Sequence, residues 1–496
     1  MLRRLLQFTV CVATFAGAIQ AQSVRESADE AAARHAHVAQ RRTGPHIICH
    51  RGASEFAKEN TLEAYRATFE LGADGNEIDI RATKDGVLVC FHDDMLDQHL
   101  YAFGDVADVT WEELRTIPFR EPGRFKDQCR IPTLEEVFEL HRKHHGLMHL
   151  DIKRPGLDKA IAALLDRFDL WDHVAYCNVQ NGAELASDPR MKLLHYMSGL
   201  YLDRAEVFPE PIAAALSKPG EGLIVDDPRG SILALKRTLG RVSSTPVARV
   251  EPRFSTPKLA GEDALIAVLR DNGGWNQVAQ TDEERKDSGA RIVARARAAD
   301  QLLQLGTKSP AAFAALENSV RQRSVHKDWQ FQGLDGATAL RALLWLKAQQ
   351  AVAQCRESLW RDDPALDPVV NPLYKNPRAW TDFRIKIYAF PALAHCPGEA
   401  AEKLCRDYLA LDDDTAKNLS PPQFEEAGRC LLKISPSTAT ALELMRHRLQ
   451  VVRGRAVLDC LANAEQDWAR AALQQGASHA LEYIVEEAEA KYSPEG

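Results

Sequence analysis

The sequence has little that would point to nucleic acid, a structural zinc site or a membrane-spanning protein. Acidic residues outnumber basic residues by 70 to 62, so the net charge is -8 and there is no basic excess for binding nucleic acid. The 10 cysteines include no C-x-x-C pair, which leaves a zinc ribbon or a thioredoxin-type motif without support. Beyond residue 21, no apolar run approaches the roughly 20 residues that a transmembrane helix needs.

The length and the N-terminus predict an exported protein with two domains. A chain of 496 residues is too long for one ordinary core. Residues 1–21 resemble a secretory signal, because two arginines precede an apolar run of about 15 residues and small residues end it at Ala18 and Ala21. An uncleaved anchor is the alternative, although the run is short for a membrane span. We expect a periplasmic or secreted protein in which residues 22–44 form a linker or loose helix.

Residues 45–250 alternate short apolar strands with helical segments, the pattern of a (β/α) barrel. Residues 94–130 interrupt this pattern as a long irregular insertion, which we expect to lie over or beside a site. Between residues 197 and 222 there is little room for another complete helix, strand and helix. The barrel is therefore expected to be incomplete late in the sequence.

Residues 260–496 lose the strand pattern and become a series of amphipathic helices rich in alanine and leucine. Pairs of such helices are typical of a HEAT-like α-solenoid, but no clean repeat consensus is present, and an irregular helical domain is the alternative. This region has no catalytic cluster, so a protein or surface partner is a possible purpose. One or two disulfides could form among its five cysteines, which are Cys355, Cys396, Cys405, Cys430 and Cys460.

The stretch from residue 46 to residue 93 carries most of the chemistry. In NEIDIR, Glu77 and Asp79 alternate with isoleucines, so the two carboxylates share one face of a strand. The strand-like run continues to Thr83, and only Lys84, Asp85 and Gly86 separate it from the apolar run VLVC. That is too few residues for a parallel crossover and predicts a hairpin. Folding the hairpin brings His92 opposite the two carboxylates.

A third carboxylate, Asp151, comes from the strand LMHLDIK. Together with Glu77 and Asp79 it offers three oxygen ligands, which suit Mg²⁺ or Ca²⁺ rather than zinc. Arg51 and Lys153 add cationic donors for phosphate oxygens, although Lys153 could equally pair with one of the acids.

His50 and His92 complete the candidate site, each at the end of a strand-like run. Two imidazoles on opposite sides of a phosphorus atom can act as general base and general acid. With a divalent cation to offset the negative charge of the phosphate, this set of residues favours cleavage of a small-molecule phosphodiester.

These residues lie in motifs that resemble the glycerophosphodiester phosphodiesterase family. Several linked motifs over this short stretch are far more specific than any one of them. In family order and with family spacing, the sequence has His50-Arg51-Gly52, Glu59-Asn60-Thr61, Gly72-Ala73-Asp74, Glu77-x-Asp79, Thr83-Lys84-Asp85-Gly86 and His92-Asp93.

The resemblance covers roughly residues 45–245 and implies a TIM-type barrel that hydrolyses glycerophosphodiesters to an alcohol and sn-glycerol 3-phosphate. It also implies that Asp151 is a metal ligand, where the family usually has Glu. The complete set of implied roles is a divalent metal on Glu77, Asp79 and Asp151, an acid–base pair of His50 and His92, and phosphate contacts from Arg51 and Lys153.

Two alternatives remain open from the sequence. One is a phospholipase-D-type or lyase reaction on lysophospholipids. The other is an inactive barrel used as a binding module, with the helical half as a scaffold. Retention of both histidines and all three carboxylates argues against an inactive barrel, which needs none of them.

Overall fold

In the computed structural model of this chain, the segment 1–21 that resembles a signal lies outside the described residues. The structure describes residues 26–44, 46–54, 57–120, 129–194, 196–202, 222–225, 259–271, 281–322, 324, 326, 331–360, 383–411, 421–463 and 465–476.

In the described residues seven strands form one sheet, and six of them run parallel. The strands are β1 (His46–Cys49), β2 (Gly75–Ala82), β3 (Leu88–Cys90), β4 (Leu147–Ile152), β5 (Val174–Cys177), β6 (Tyr196–Leu202) and β7 (Gly222–Val225). Their order is β5-β4-β2-β1-β7-β6, and β3 pairs antiparallel with β2 as the predicted hairpin. Within the described residues β5 and β6 do not pair, and the sheet forms a half-barrel of the TIM type. Residues 203–221, most of the segment where the late gap is predicted, lie outside the described residues.

The helices of this half begin and end where the sequence supplies capping residues. They are α1 (Ala28–Thr43), α2 (Leu62–Leu71), α3 (Trp111–Leu114), α4 (Leu134–His144), α5 (Asp158–Phe168) and α6 (Ala183–Ala186). The Thr61 side chain accepts a hydrogen bond from the third residue of α2, and Gly72 ends that helix at a positive φ of 95°. Thr133 and Glu136 form a capping box at the start of α4.

The packing of β2 decides which side chains face the barrel interior. Ile78 and Ile80 are fully buried in an apolar cluster with Phe69 of α2 and Phe138 of α4. Because neighbouring residues on a strand point to opposite faces, the alternate residues of β2 face away from those helices. The carboxylates of this strand therefore point into the barrel.

The segment predicted as a linker or loose helix contains a well-defined helix that packs on the barrel. Helix α1 starts with a capping box of Ser27 and Glu30. Arg34, on this helix, is fully buried and pairs with Glu26 and Asp169. The sequence interpretation missed this because the helix is mostly polar, and ion pairs rather than an apolar stripe attach it.

The insertion forms a small irregular subdomain over its described part, residues 94–120. Two 3₁₀ turns, Leu96–Gln98 and Val106–Asp108, precede the short helix α3. Its residues Leu96, Leu100 and Phe119 share an apolar cluster with Val89 and Phe91 of the hairpin. The insertion is therefore packed rather than loose.

The C-terminal half is helical throughout its described residues. Its helices are α7 (Glu262–Leu269), α8 (Asp282–Leu305), α9 (Pro310–Gln322), α10 (Leu334–Trp345), α11 (Gln350–Trp360), α12 (Phe383–Leu393), α13 (Glu399–Leu409), α14 (Pro421–Ile434), α15 (Thr438–Met445), α16 (Gln450–Ala462) and α17 (Asp467–Gly476). Among the described helices, α8 packs on α10, α10 on α12, α12 on α14 and α14 on α16, so these five helices form a row. Such a row is typical of stacked helical pairs, and the HEAT-like solenoid stays a prediction.

The two halves share an apolar cluster, since Ile47, Cys49 and Val225 of the barrel belong to the cluster that fills the helical half. The nine cysteines of the described residues are all buried and none of them forms a disulfide, so this part of the chain does not contain the disulfides considered from the sequence. None of the described helices combines the length and the apolar character that crossing a membrane requires.

Candidate active site at the strand ends

Three carboxylates meet at the carboxyl ends of β2 and β4. The parallel register places Asp79 directly beside Asp151, with Glu77 two residues earlier on the same face of β2. Each residue offers one carboxylate oxygen within 4.8 Å of the others. Glu77 and Asp79 are fully buried, whereas Asp151 retains 23% exposure of its side chain. The sequence-predicted acids therefore form one cluster that opens to solvent at Asp151.

Amide side chains orient two of these acids. Asn60 Nδ2 donates to Asp79 Oδ2 at 2.7 Å, and Asn60 Oδ1 accepts from the Tyr65 hydroxyl at 2.6 Å. On the other side, Asn178 Nδ2 donates to Asp151 Oδ1 at 2.5 Å, while Asn178 Oδ1 accepts from the main chain of Ile152. These hydrogen bonds hold the carboxylates in fixed directions, the arrangement that a ligand cluster requires.

Two cations compensate the charge of the acids. Lys153 Nζ lies 2.7 Å from Asp79 Oδ1 and 2.6 Å from Asp151 Oδ2. Arg51 donates its main-chain N–H to Glu77 Oε2 at 2.9 Å, and its side chain pairs with Glu59 at 3.0 Å. In this structure Lys153 pairs with acids of the cluster. This pairing is the alternative to a phosphate contact that the sequence left open.

The backbone around Arg51 adopts a conformation that the sequence does not reveal. Arg51 and Asn60 both have φ of 55°, in the left-handed region that ordinary residues avoid, and Gly52 between them has φ of 83°. A side chain at Gly52 would also meet the Ala64 Cβ at 2.8 Å. Such strained residues cluster at functional sites, where the surrounding structure enforces them.

His50 directly follows β1, and its main-chain N–H donates to the Val225 carbonyl of β7 at 2.9 Å. The imidazole lies near enough to Glu77 that its positive charge would lower the pKa of that carboxyl. His50 is therefore part of the barrel, held by the strand pairing of β1 with β7.

His92 follows β3 and reaches the same edge of the sheet through the hairpin. The Phe91 N–H donates to the Asp79 carbonyl at 3.0 Å, so the hairpin delivers His92 beside the acid cluster. Its Nδ1 lies 2.7 Å from Asp93 Oδ1. Because an ionised carboxylate only accepts hydrogen bonds, Nδ1 of His92 is the donor and its Nε2 is left for other contacts.

The electrostatics of the acid cluster fit a divalent cation. Burial and the neighbouring Asp79 raise the pKa of Glu77. Burial also opposes ionisation of Asp79, but Lys153, His92 and Arg51 hold its pKa below the ordinary value. Oε1 of Glu77 is buried and accepts no hydrogen bond from the described residues. A buried carboxylate oxygen without a donor, beside two other acids, is where a hard oxygen-binding cation fits.

The sequence of this region matches a known family. Residues 50–171 match the model of the glycerophosphoryl diester phosphodiesterase family. Over these residues the chain is similar to that family. The match covers the motif region, the insertion and the strand that carries Asp151 and Lys153.

Curated relatives carry the same family name. A glycerophosphodiester phosphodiesterase of Caldanaerobacter subterraneus subsp. tengcongensis is 38% identical over 137 residues, which cover 26% of this chain and 55% of that protein. Glycerophosphodiester phosphodiesterase 1 of Mus musculus is 40% identical over 121 residues, 24% of this chain and 36% of that protein. The chain thus spans little more than half of the bacterial relative.

Solved structures with related names are similar to part of the chain. One is an Oleispira antarctica phosphodiesterase in complex with the product sn-glycerol-3-phosphate, at 20% identity and a TM-score of 0.31, covering 39% of this chain and 97% of that one. Another is a glycerophosphodiester phosphodiesterase from Agrobacterium tumefaciens, at 21% identity and a TM-score of 0.31, covering 38% of this chain and 99% of that one.

The sequence interpretation missed the residues that support the site. Asn60 belongs to the motif Glu59-Asn60-Thr61, but the motif does not show that Thr61 caps α2 while Asn60 binds Asp79. Asn178 directly follows β5 and donates to Asp151. The motif was the available signal for Asn60, whereas nothing in the sequence links residues 151 and 178.

Proposed function

We propose that this chain hydrolyses glycerophosphodiesters to an alcohol and sn-glycerol 3-phosphate in a metal-dependent reaction. The observation that carries the proposal is the cluster of Glu77, Asp79 and Asp151 at the strand ends, with His50 and His92 on the neighbouring strand ends. The family match over residues 50–171 supports the same class of reaction.

In this reaction His50 accepts a proton from the attacking water, and His92 donates a proton to the oxygen of the departing alcohol. The bond from phosphorus to that oxygen breaks as the bond to water forms. Asp93 keeps Nδ1 of His92 as a donor, so that the opposite nitrogen, Nε2, serves the leaving group. Arg51 and Lys153 offset the negative charge of the phosphate.

Glu77, Asp79 and Asp151 would hold the divalent cation, Mg²⁺ or Ca²⁺. When bound, such an ion polarises a phosphate oxygen and offsets its charge. Lys153, which now pairs with two of these acids, is then able to contact phosphate instead.

Export is part of the proposal and rests on the signal-like residues 1–21 alone. Mass spectrometry of the protein purified from its own host tests it, because export with cleavage removes those residues. A protein or surface partner for the helical half also remains a prediction.

The decisive experiment follows the products of purified residues 22–496 by ³¹P NMR. The substrates are glycerophosphocholine, glycerophosphoethanolamine and a lysophospholipid, each with Mg²⁺, with Ca²⁺ or with a chelator. We expect metal-dependent release of sn-glycerol 3-phosphate that disappears in His50→Ala and in Glu77→Gln.

Two other outcomes contradict the proposal in different ways. A cyclic phosphate product, or turnover of the lysophospholipid alone, would indicate the lyase or phospholipase-D-type reaction. No turnover of any substrate by a folded protein that binds the metal would favour the binding-module alternative. Circular dichroism of each variant checks that loss of activity is not loss of fold.

A further inference from the structure

His99, in the insertion, lies between the carboxylates of two motifs. Its Nε2 is 3.3 Å from Asp93 Oδ2 and 3.9 Å from Glu59 Oε1. Its ring meets the Phe91 ring edge-on, with centroids 5.9 Å apart. Since Asp93 binds His92, the described residues form a continuous chain from His99 through Asp93 to the imidazole that we propose as the general acid.

The imidazole of His99 compensates a buried carboxylate oxygen of Asp93. Oδ2 of Asp93 is buried and has no well-aligned hydrogen bond within the described part of the chain. Leaving a buried carboxylate oxygen without compensation is costly, and the imidazole of His99 is the group that approaches it. Burial alone would raise the pKa of Asp93, but the hydrogen bond from His92 and the imidazole of His99 hold that pKa far below its ordinary value.

The main chain around His99 is held in turn by the helical half. Arg120 Nε donates to the Asp97 carbonyl at 3.0 Å, and Arg341 Nη1 donates to the same oxygen at 3.2 Å. The Tyr388 hydroxyl donates to the buried Asp97 carboxylate. The N–H of Arg120 also donates to the carbonyl of His99 itself, at 2.8 Å.

An ion pair across the two halves fixes Arg120. Its guanidinium contacts both carboxylate oxygens of Asp300, on α8, at 2.5 and 3.1 Å, and both side chains are almost fully buried. The same guanidinium lies 4.7 Å from the centre of the Tyr101 ring. Three helices of the C-terminal half therefore reach the turn that precedes His99. Arg341 on α10 and Tyr388 on α12 contact this turn directly. Asp300 on α8 reaches it through Arg120.

We propose that His99 is a positioning residue for His92, and that the helical half completes the active site by holding the turn around Asp97 that carries His99. This inference rests on the proposed function. It gives the helical half a role inside the catalytic unit, in addition to any partner that it binds. Neither His99 nor its contact with the helical half belongs to the motifs that identified the domain.

The first test compares two substitutions of similar size. Gln at position 99 keeps an N–H donor near the position of Nε2, and Leu removes it. We expect His99→Leu to lower kcat by about 10-fold to 100-fold, as loss of an outer partner of a functional histidine does, with little change in KM. His99→Gln should retain most of the activity.

A second readout does not depend on activity. The ¹⁵N chemical shifts of the His92 ring, assigned with His92→Ala, report which nitrogen carries the proton. We expect His99→Leu to shift the Nδ1 and Nε2 signals of His92, and His99→Gln to leave them close to the wild type. If the wild type turns over no phosphodiester, the proposed function fails while these spectra still test the contact.

The third test addresses the helical half. Tyr388→Phe removes the hydroxyl donor to Asp97 and keeps the ring. We expect it to lower kcat several-fold and to cause little further loss in the background of His99→Leu, because both changes act on one path. Glu443→Gln, which breaks an exposed pair with Arg406 in the helical half, is the control and should leave kcat unchanged.

Three results would overturn the inference. Unchanged kcat and unchanged His92 spectra in His99→Leu would show that Asp93 does not need His99. Equal loss in His99→Leu and His99→Gln would show that ring shape rather than the donor matters. Fully additive losses in the double variant would show that Tyr388 acts on activity by another route.

Discussion

The two histidines of the proposed acid–base pair are held by different parts of the molecule. His50 follows β1, and its main-chain N–H bonds to β7, so strand pairing in the barrel positions the main chain of His50. His92 follows the hairpin, and its partner Asp93 is contacted by His99 of the insertion. The insertion is fixed by the helical half. One side of the site is thus built by strand pairing, and the other by packing between distant segments.

The largest expected effect distinguishes the chemical role of His50 from that of His92. Both His50→Ala and His92→Ala should lower kcat on glycerophosphocholine by roughly 10²- to 10⁴-fold, the usual contribution of a general acid or base. A substrate with a p-nitrophenyl leaving group needs little protonation as it departs. It should restore much of the activity of His92→Ala and little of that of His50→Ala.

Steady-state kinetics on both substrates check this prediction. Equal recovery of the two variants on the p-nitrophenyl ester would contradict the assignment of His92 as the acid and His50 as the base. Recovery of His50→Ala alone would reverse the two roles.

The next largest effect concerns the free energy of unfolding when the ion pair between the insertion and the helical half is broken. Asp300→Asn leaves the buried charge of Arg120 without its partner, which typically costs about 3–5 kcal/mol. Asp335→Asn is a matched control, because Asp335 pairs with the buried Arg295 within the helical half at 2.8 Å. We expect both variants to melt earlier, and only Asp300→Asn to lower kcat at temperatures where both are folded.

Thermal unfolding and kinetics on the same samples test this pair. If Asp335→Asn lowers kcat as much as Asp300→Asn, general loosening of the helical half explains the effect, and the specific contact with the insertion does not.

Sequence reasoning predicted the strands and the hairpin that bring the acids and His92 to one edge of the sheet, but it did not predict the packing that holds His92. Glu77 and Asp79 lie on β2 and His50 directly follows β1, where alternation and parallel pairing determine which side chains meet. The contact of His99 with Asp93 depends on an irregular turn, and the contact of that turn with Tyr388 joins residues 291 positions apart. No local pattern encodes either one, because each depends on how separate segments pack.

The next prediction concerns the protonation of Glu77 in the acid cluster. The pKa of Glu77 is raised above its ordinary value of 4.5 by burial and by Asp79. The folded state therefore binds this proton more tightly than the unfolded chain does. The stability that this proton contributes is fully present below the ordinary pKa of Glu77, which applies to the unfolded chain. It is lost as the pH rises through the raised pKa of the folded state. A bound cation would replace the proton.

We therefore expect the rise in melting temperature caused by Mg²⁺ or Ca²⁺ to grow between about pH 5 and about pH 8. Glu77→Gln should have a smaller rise with little dependence on pH. His99→Leu, on the other side of the site, should respond to metal as the wild type does. A metal effect that is independent of pH in the wild type would contradict the role of Glu77 as a ligand that must lose its proton.

The smallest expected effect tests whether the helical half acts locally. Arg356 pairs with Asp407 at 2.5 Å on the surface of this half, with half of the arginine side chain exposed. Exposed pairs contribute little, so Arg356→Gln should change the free energy of unfolding by less than about 1 kcal/mol and leave kcat unchanged. Urea unfolding and steady-state kinetics measure the two quantities. A clear loss of kcat in Arg356→Gln would mean that any disturbance of the helical half lowers the activity. The contacts through Asp97 and His99 would then not be the specific link between the helical half and His92.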